Sequence, residues 1–354
     1  MELSFARFEY QNNLTQQREL FRDCFPETEG DAIQSNEHYF WKFQSYPYSI
    51  HSWEYFAYVG KEMVGYYAAI PYRYKIGNRI TAVGMVCDVM TSSRQRGKGI
   101  FTKMGRYSTE ELSALVPFTT GYPIRKEVIP GHLKVGWKVA FTLPLYIKFL
   151  SFNAFLKTKR LGFISPFVNI FLRIYNTIVK TKINRNYSYT IFSDIEKVVG
   201  YESFALEWGN TVENSLVKDL SFVRWRYSAP RRKYKFLSIY NQDKMIGFLT
   251  LRSIIKEGVP SYCILDYMVL PGFDDCHGLI NEVLSNNAKN EKLDAIMTMM
   301  SKTSASNYRL LKNGYLKSPF TFSLIIKNLT GEFNDLYLMN EKLWHLMWVD
   351  SDDL

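Results

Sequence analysis

A loop between a predicted strand and a predicted helix constrains this chain more than any other feature. The loop carries the pattern Arg-x-x-Gly-x-Gly, with Arg94, Gly97 and Gly99 in register. It follows an apolar run at 82–90 that is typical of a buried strand, and it precedes a helical pattern at 101–112. Glycines at such a turn let the backbone approach a ligand closely, because no Cβ atom is in the way. The pattern therefore predicts a ligand site at the start of a helix.

The charge of this loop indicates an anionic ligand. The first N–H groups of a helix have no partner within the helix, and they lie at the positive end of its dipole. Arg94, Arg96 and Lys98 add positive side chains at the same end, which suits a pyrophosphate. The dinucleotide-binding fingerprint is incomplete, because Thr102 stands where its third glycine belongs. The Gly-Lys-Ser/Thr of a P-loop is absent as well.

Arg-x-x-Gly-x-Gly after a strand resembles motif A of the GNAT superfamily of N-acyltransferases, which binds the pyrophosphate of acetyl-CoA. The resemblance implies that backbone amides of the loop contact the pyrophosphate. It also implies that the preceding strand splays open, so that its backbone pairs with the pantetheine amides and the acyl carbonyl. The cofactor-binding residues implied by the resemblance are Val89, Thr91, Arg94, Arg96, Gly97, Lys98, Gly99 and Ile100.

The proton-transfer residues are harder to assign from the resemblance. Many family members have a tyrosine four residues before a Gly-aromatic pair, and here His132 stands four residues before Gly136-Trp137. An imidazole with an ordinary pKa near 6.5 can act as acid or base. Tyr122 and Glu127 are further candidates for moving a proton. In some relatives the C-terminal carboxylate enters the active site. The residues at the C-terminal end of this chain are therefore further candidates, and they are Asp350, Asp352, Asp353 and Leu354.

Ordered internal matches indicate that one domain occurs twice. The matched positions are Trp41 with Trp225, Gly65 with Gly247 and Asp88 with Asp266, and a looser match joins 132–137 to 308–315. Nine residues after Asp88 stands Gly97, whereas nine residues after Asp266 stands Asp275. Carboxylates at this position repel a pyrophosphate. The sequence therefore predicts one CoA site per chain, in the first copy.

The order of strand and helix patterns predicts an α+β fold built from two tandem GNAT-like domains, each a mixed, mostly antiparallel sheet flanked by helices. The predicted ranges are an N-terminal domain with the acyl-CoA site at 1–149, a basic amphipathic helical connector at 150–186, a degenerate C-terminal domain at 187–330 and a helical tail at 331–354. In the first domain, strands are predicted at 2–9, 53–59, 62–75, 79–91, 116–121 and 138–148, and helices at 13–24, 36–44, 99–114 and 126–135.

The positive charge is concentrated in one stretch. The chain has a net charge of +10, and residues 128–193 contain ten Lys or Arg and no Asp or Glu. The middle of this stretch, 163–179, is apolar at helical spacing, but it falls short of the roughly 20 residues that span a bilayer. A basic amphipathic helix can lie on an anionic membrane. A linker helix packed against the two domains is the alternative.

Cysteine and histidine usage gives no metal pattern. The four cysteines lack paired spacing and the five histidines are scattered, so no metal site is predicted. The first ten residues lack the basic and apolar regions of a signal peptide, so a cytoplasmic protein with reduced thiols is expected. It could also be peripheral at the inner face of the membrane. No specific nucleic acid is expected as a partner, and the oligomeric state is open.

The leading functional hypothesis is an N-acyltransferase that uses acetyl-CoA, or another acyl-CoA, and a small amine such as an amino sugar. An aminoacyl-tRNA-dependent transferase of the Fem type is an alternative, favoured by the basic stretch. A non-enzymatic CoA sensor is another alternative. Tandem GNAT proteins of bacterial envelope and polysaccharide genes resemble this chain, and Eis-like aminoglycoside acetyltransferases resemble it more distantly.

Overall fold

The computed structural model describes residues 2–179 and 182–352, which fall into two compact units. Unit 1 contains the chain up to Phe141 together with Ser221–Arg232 and Ser323–Glu341. Unit 2 contains Thr142–Leu220, Lys233–Phe322 and the chain from Lys342. Each unit is therefore assembled from separate segments of the chain, whereas the sequence patterns predict contiguous ranges.

The strands agree closely with the alternating and β-branched patterns of the sequence. They are β1 Leu3–Arg7, β2 Trp53–Val59, β3 Glu62–Ile76, β4 Arg79–Thr91, β5 Phe118–Gly121, β6 Lys138–Phe149, β7 Tyr187–Phe192, β8 Asn214–Leu216, β9 Lys235–Asn241, β10 Lys244–Lys256, β11 Val259–Val269, β12 Ala295–Met299, β13 Leu316–Asn328 and β14 Trp344–His345. The six strands predicted for the first domain are confirmed, and the bounds of β2 and β4 are as predicted.

The helices flank these strands. They are α1 Tyr10–Cys24, α2 Asn36–Tyr39, α3 Ile100–Ser113, α4 Ile129–Leu133, α5 Asn153–Thr158, α6 Ser165–Ile178, α7 Tyr201–Thr211, α8 Leu220–Arg226, α9 His277–Asn290, α10 Lys302–Asn307 and α11 Asp335–Leu338. A π-helical turn, Phe40–Gln44, continues α2. The prediction of an α+β fold is confirmed.

Unit 1 is built on a mixed sheet with the strand order β1-β2-β3-β4-β5-β13. Only β4 and β5 are parallel, because the chain crosses between them through α3. Ile325–Asn328 of β13 pair antiparallel with β5. Helix α3 packs on one face through Met104 and Leu112, and α1 packs against β3 and β4. The central strand β3 is covered on both faces and is buried along most of its length.

Unit 2 contains a sheet with the strand order β6-β12-β11-β10-β9-β7. The parallel pair is β11 with β12, and α9 forms the crossover between them. Leu145–Phe149 of β6 pair antiparallel with β12. Both units therefore have the same order of elements: a hairpin, a further strand, a loop, a crossover helix and a parallel strand.

A one-residue bulge also recurs at the corresponding hairpin of both units. In unit 1 the register between β2 and β3 shifts at Val64, just before Gly65. In unit 2 the register between β9 and β10 shifts at Ile246, just before Gly247. The glycines matched in the sequence therefore follow equivalent bulges.

The predicted helical tail is only partly helical. It forms α11, a 3₁₀ turn at Glu341–Leu343 and the strand β14, which pairs in parallel with β8. Backbone hydrogen bonds to β8 override the helical pattern of the sequence there. Asp350 is buried, and its carboxylate accepts the N–H of Met347 at 2.8 Å. Asp353 and Leu354 lie outside the described residues.

Candidate functional site

The loop after β4, residues 92–99, is called the basic loop. Ser93–Gln95 form a 3₁₀ turn, and Gly97 and Gly99 follow with φ of +79° and +75°. Side chains rarely adopt this backbone conformation, so glycine is required at both positions. A Cβ atom built on Gly97 would meet no other atom within 4 Å. Glycine thus serves the conformation of the loop, and the space above the loop stays open.

The basic loop ends at the N-terminus of α3, a helix of 14 residues. Gly99 is the N-cap residue, so no side chain caps the helix, and its first turn contains no acidic residue. Arg94, Arg96 and Lys98 are exposed, and within the described chain none of them forms an ion pair. Unpaired N–H groups, a positive helix end and exposed cations fit a pyrophosphate. The residues present therefore fit the phosphate end of CoA.

The C-terminal end of α1 fixes the start of the basic loop. Asp23 accepts hydrogen bonds from the backbone N–H and the hydroxyl of Ser93, both at 2.7 Å. These bonds lower the pKa of the Asp23 carboxyl. The thiol of Cys24 donates to the carbonyl of Thr91 at 3.4 Å. Asp23 and Cys24 lie about 70 positions from the loop, and no local sequence motif marks them.

β4 separates from β5 before it reaches the basic loop. Residues 84–86 pair with β5, whereas the pairing with β3 continues to Thr91. Asp88 sits at a bulge with φ of +47°, which bends the end of the strand. The Thr91 hydroxyl is buried and has no hydrogen-bond partner within the described chain. This splayed end is where Val89 and Thr91 are predicted to pair with pantetheine, and their role stays a prediction.

His132 is buried in α4 next to the first turn of α3. Its ring packs edge-to-face on Phe101 and on Trp137, with ring centroids 5.0 and 5.2 Å apart. A Cβ atom at Gly131 would lie 2.6 Å from the Phe101 ring, so glycine permits this close packing. Burial lowers the pKa of His132 to about 4. The imidazole is therefore neutral at neutral pH, unlike the expectation of an ordinary pKa near 6.5, and it suits a proton acceptor better than a donor.

The other two predicted proton-transfer residues lie in different environments. Tyr122 is buried directly after β5. Glu127 is exposed in a 3₁₀ turn, Lys126–Val128, that leads into α4. The loop between them is held to α1 by Arg125, which pairs with Glu27 and donates to the carbonyl of Cys24 at 3.2 Å. The end of α1 thus organises both loops on this side of the sheet.

A buried carboxyl network lies in the same unit, and sequence patterns gave no signal for it. Glu54 on β2 accepts hydrogen bonds from the hydroxyls of Tyr39 at 2.8 Å and Tyr66 at 2.5 Å. Burial raises the pKa of Glu54 to about 7, although these two hydrogen bonds oppose the shift. The negative charge of Asp88 raises it further, and Asp88 is paired with Lys42 at 2.9 Å. The network can hold a proton near neutral pH.

The corresponding loop of unit 2, residues 270–277, is called the acidic loop. Both Asp275 oxygens accept hydrogen bonds at 2.7 Å, from Asn184 and from the Tyr187 hydroxyl. At the start of α9, a Cβ atom on Gly278 would lie 2.4 Å from the backbone oxygen of Lys182. The chain itself therefore covers the helix end that stays open in unit 1.

Comparisons with known proteins agree with this geometry. Residues 8–140 match the family model of an acetyltransferase (GNAT) domain, a range that includes the basic loop, Tyr122, Glu127 and His132. A comparison with curated proteins finds no match.

Several solved structures share the fold at low sequence identity. A GCN5-related N-acetyltransferase from Anabaena variabilis aligns over 93% of this chain and 73% of its own, with 12% identity and a TM-score of 0.67. A conserved protein of unknown function from Enterococcus faecalis aligns over the same shares, with 10% identity and a TM-score of 0.65. A GCN5-related N-acetyltransferase from Kribbella flavida covers 92% of this chain and 70% of its own, with 10% identity and a TM-score of 0.60.

Proposed function

We propose that unit 1 is an N-acyltransferase that moves an acetyl group from acetyl-CoA to a small amine, such as that of an amino sugar. One observation carries the proposal: the basic loop presents open glycine backbone and unpaired cations at the N-terminus of α3. The GNAT domain match over residues 8–140 supports the same reaction class.

Each part of the site has a role in this reaction. The backbone N–H groups of 97–100 hold the pyrophosphate, and Arg94, Arg96 and Lys98 neutralise its charge. The splayed end of β4, with Val89 and Thr91, orients the pantetheine arm. Acetyl-CoA supplies the thioester, whose carbonyl carbon bonds to the amine nitrogen while the C–S bond breaks. The chain must then take one proton from the amine and return one to the thiolate.

The proposed proton carriers follow from their environments. Burial lowers the pKa of His132 to about 4, so its imidazole is neutral and has a ring nitrogen that can accept the amine proton, as a weaker base than an exposed histidine. The Tyr122 hydroxyl is the proposed donor to the thiolate. Glu127 is exposed and would pass protons to solvent.

We further propose that unit 2 is a degenerate copy of the same domain. The equivalent bulges at Val64 and Ile246 support duplication. The matched tryptophans also meet face to face, with ring centroids 5.3 Å apart. The indole of Trp41 donates to the carbonyl of Trp225 at 2.7 Å, and the indole of Trp225 donates to the carbonyl of Trp41 at 2.8 Å. Both tryptophans lie in unit 1, so this contact joins the two matched sequence segments within one unit.

Thermal unfolding with acetyl-CoA tests the proposed function. Binding at 100 times the dissociation constant should stabilise the chain by about 2.7 kcal/mol, and Gly97→Asp should abolish this gain. Gly272→Asp is the matched control, because Gly272 also has positive φ (+88°) and open space around its Cβ position. No stabilisation of the wild type would refute acetyl-CoA binding. Binding without release of free thiol across a broad amine panel would favour the sensor hypothesis.

A further inference from the structure

Helix α6, which belongs to unit 2, has its polar side turned towards the rest of that unit. The Asn169 carboxamide accepts the N–H of Phe152 at 2.8 Å, and Asn176 donates to the carbonyl of Phe149 at 3.1 Å. The end of the helix packs on Gly314, where a Cβ atom would meet Val179 at 3.0 Å. Of the α6 side chains, only Leu172 is fully buried. A surface helix normally packs its apolar stripe inward, so this orientation is the reverse of the usual one.

The apolar stripe of α6 faces solvent as a result. Its members are Phe167, Ile170, Phe171, Ile174 and Ile178 of the helix and Phe163 of the 3₁₀ turn just before it, and their exposed fractions range from 53% to 77%. At roughly 100° per residue they fall within one narrow face of the helix. A single exposed apolar residue is ordinary, but a contiguous stripe of this kind marks an interaction surface. This stripe is called the α6 apolar face.

The surroundings of the α6 apolar face are basic. Residues 150–186 contain seven Lys or Arg and no Asp or Glu. Lys157, Lys159 and Arg160 at the end of α5 are exposed, as is Arg173 on α6 itself. Over the described ranges, none of these four forms an ion pair. A neutral partner would leave this charge unmatched, whereas an anionic lipid surface matches it and also takes up an apolar stripe.

We propose that the α6 apolar face binds the surface of an anionic membrane. The helix would lie in the plane of the interface, with its phenylalanines and isoleucines in the acyl boundary and the basic residues at the headgroups. A helix of 14 residues is about 21 Å long, shorter than a bilayer core is thick. In the part of the chain that is described, no helix has the length and apolarity needed to cross a membrane. This inference does not depend on the proposed enzyme activity.

Vesicle sedimentation of the full chain tests the inference. We expect binding to vesicles with about 30 mol % phosphatidylserine at about 0.1 M salt, and much weaker binding to pure phosphatidylcholine. The double variant Phe167→Gln/Phe171→Gln should weaken binding to anionic vesicles at least tenfold. Lys157→Gln/Lys159→Gln/Arg160→Gln should weaken binding to anionic vesicles and leave the weak binding to neutral vesicles unchanged.

Leu206→Gln is the matched control, because Leu206 is exposed to a similar extent (70%) but lies on α7. Unchanged thermal midpoints would establish that the variants fold. Wild type that fails to bind anionic vesicles at low salt would overturn the proposal, and so would Phe167→Gln/Phe171→Gln binding like the wild type. Sedimentation velocity without lipid tests the remaining alternative, in which a second copy of this chain binds the α6 apolar face. Self-association that disappears in the double variant would assign the face to a second copy of this chain instead.

Discussion

The basic loop and the acidic loop follow corresponding strands and precede corresponding crossover helices, yet they differ in charge and in access to the start of the helix. The basic loop presents Gly97 and Gly99 with open space above Gly97. In the acidic loop, Asp275 is tied to Asn184 and Tyr187, and the backbone of Lys182 covers the start of α9. The fold provides a helix end in both units, and the local sequence decides whether a ligand can reach it.

The positions of the Glu54 network also differ between the two units. Counted from the two bulges, Phe236 and Phe248 of unit 2 hold the places of Glu54 and Tyr66. These two phenylalanine rings stack at 6.0 Å, so the fold accepts an apolar core there.

Leu310 holds the place of His132 when Gly136-Trp137 is matched with Gly314-Tyr315. The carbonyl of each accepts the N–H five residues further on, at 3.1 Å from Tyr315 and at 3.2 Å from Trp137. Buried titratable groups cost stability relative to apolar ones. At these positions the titratable side chains belong to unit 1, whereas unit 2 buries ionisable groups elsewhere, such as the Lys218–Asp266 pair at 2.5 Å.

The largest effect should come from making unit 1 resemble unit 2 at one position. His132→Leu should lower kcat about 100-fold or more if the imidazole accepts the amine proton. Thermal stability and the acetyl-CoA shift should persist, because Leu310 is buried at the corresponding backbone position in unit 2. Steady-state assays of free thiol, with Tyr122→Phe and Glu127→Gln measured in parallel, would separate the three candidates. An unchanged kcat in His132→Leu would make its role structural.

Glu54→Gln should change how stability depends on pH. Burial raises the pKa of Glu54 from 4.5 to about 7, so the folded chain retains a proton that the unfolded chain releases between these pH values. The stability from this carboxyl is complete below the unfolded pKa and is lost as the pH rises through the folded pKa. The loss is on the order of 3 kcal/mol.

Chemical denaturation at about pH 4 and about pH 8 measures this slope. Glu54→Gln should flatten it, whereas Glu62→Gln, at an exposed position of β3, should not. Equal slopes in Glu54→Gln and the wild type would show that the pKa of Glu54 is the same in the folded and the unfolded chain. Arg18 and Asp88 contribute to the field at Glu54 and should be left intact in both variants.

Gly278→Ala tests the covered end of α9. The new methyl group would lie 2.4 Å from the backbone oxygen of Lys182, so the covering segment must move, at a cost of about 2 kcal/mol. Gly209→Ala in α7 has open space at its Cβ position and should instead stabilise the chain by about 0.5–1 kcal/mol. Urea unfolding measures both changes. Similar midpoints for the two variants would show that α9 is not tightly covered.

The smallest effect concerns a single cation of the basic loop. Arg96→Gln should weaken acetyl-CoA binding about tenfold and reduce its dependence on salt, because one unpaired charge near the pyrophosphate is lost. Lys61→Gln, at an exposed turn between β2 and β3, is the matched control. Titration calorimetry at two salt concentrations measures both. Equal losses in the two variants would indicate a general effect of net charge.

The local part of the fold could be predicted from the sequence. Strand β4, the basic loop and α3 follow one another within about 30 residues, and hydrophobic periodicity and glycine placement mark them directly. The bounds of α1 and α4 were less accurate, because neither a capping side chain nor a glycine such as Gly99 of α3 marks where they begin. α4 is also preceded by a separate 3₁₀ turn.

The remaining features depend on contacts between distant residues. Asp23 binds Ser93 from 70 positions away, and Asn184 binds Asp275 from 91 positions away. The outward orientation of the α6 apolar face follows from hydrogen bonds made by Asn169 and Asn176 on its opposite side. A helical pattern gives the stripe but not the direction in which the stripe points.

Each unit contains a strand from the other half of the sequence, and this has a consequence for folding during synthesis. Unit 1 needs Ile325–Asn328 beside β5, and unit 2 needs Leu145–Phe149 beside β12. A nascent chain that has emerged only to residue 300 therefore exposes one side of β5 to solvent, where an unpaired strand can join another chain. Unit 1 therefore cannot be completed until residue 328 has emerged. Expression of residues 1–149 alone should accordingly give an aggregation-prone product.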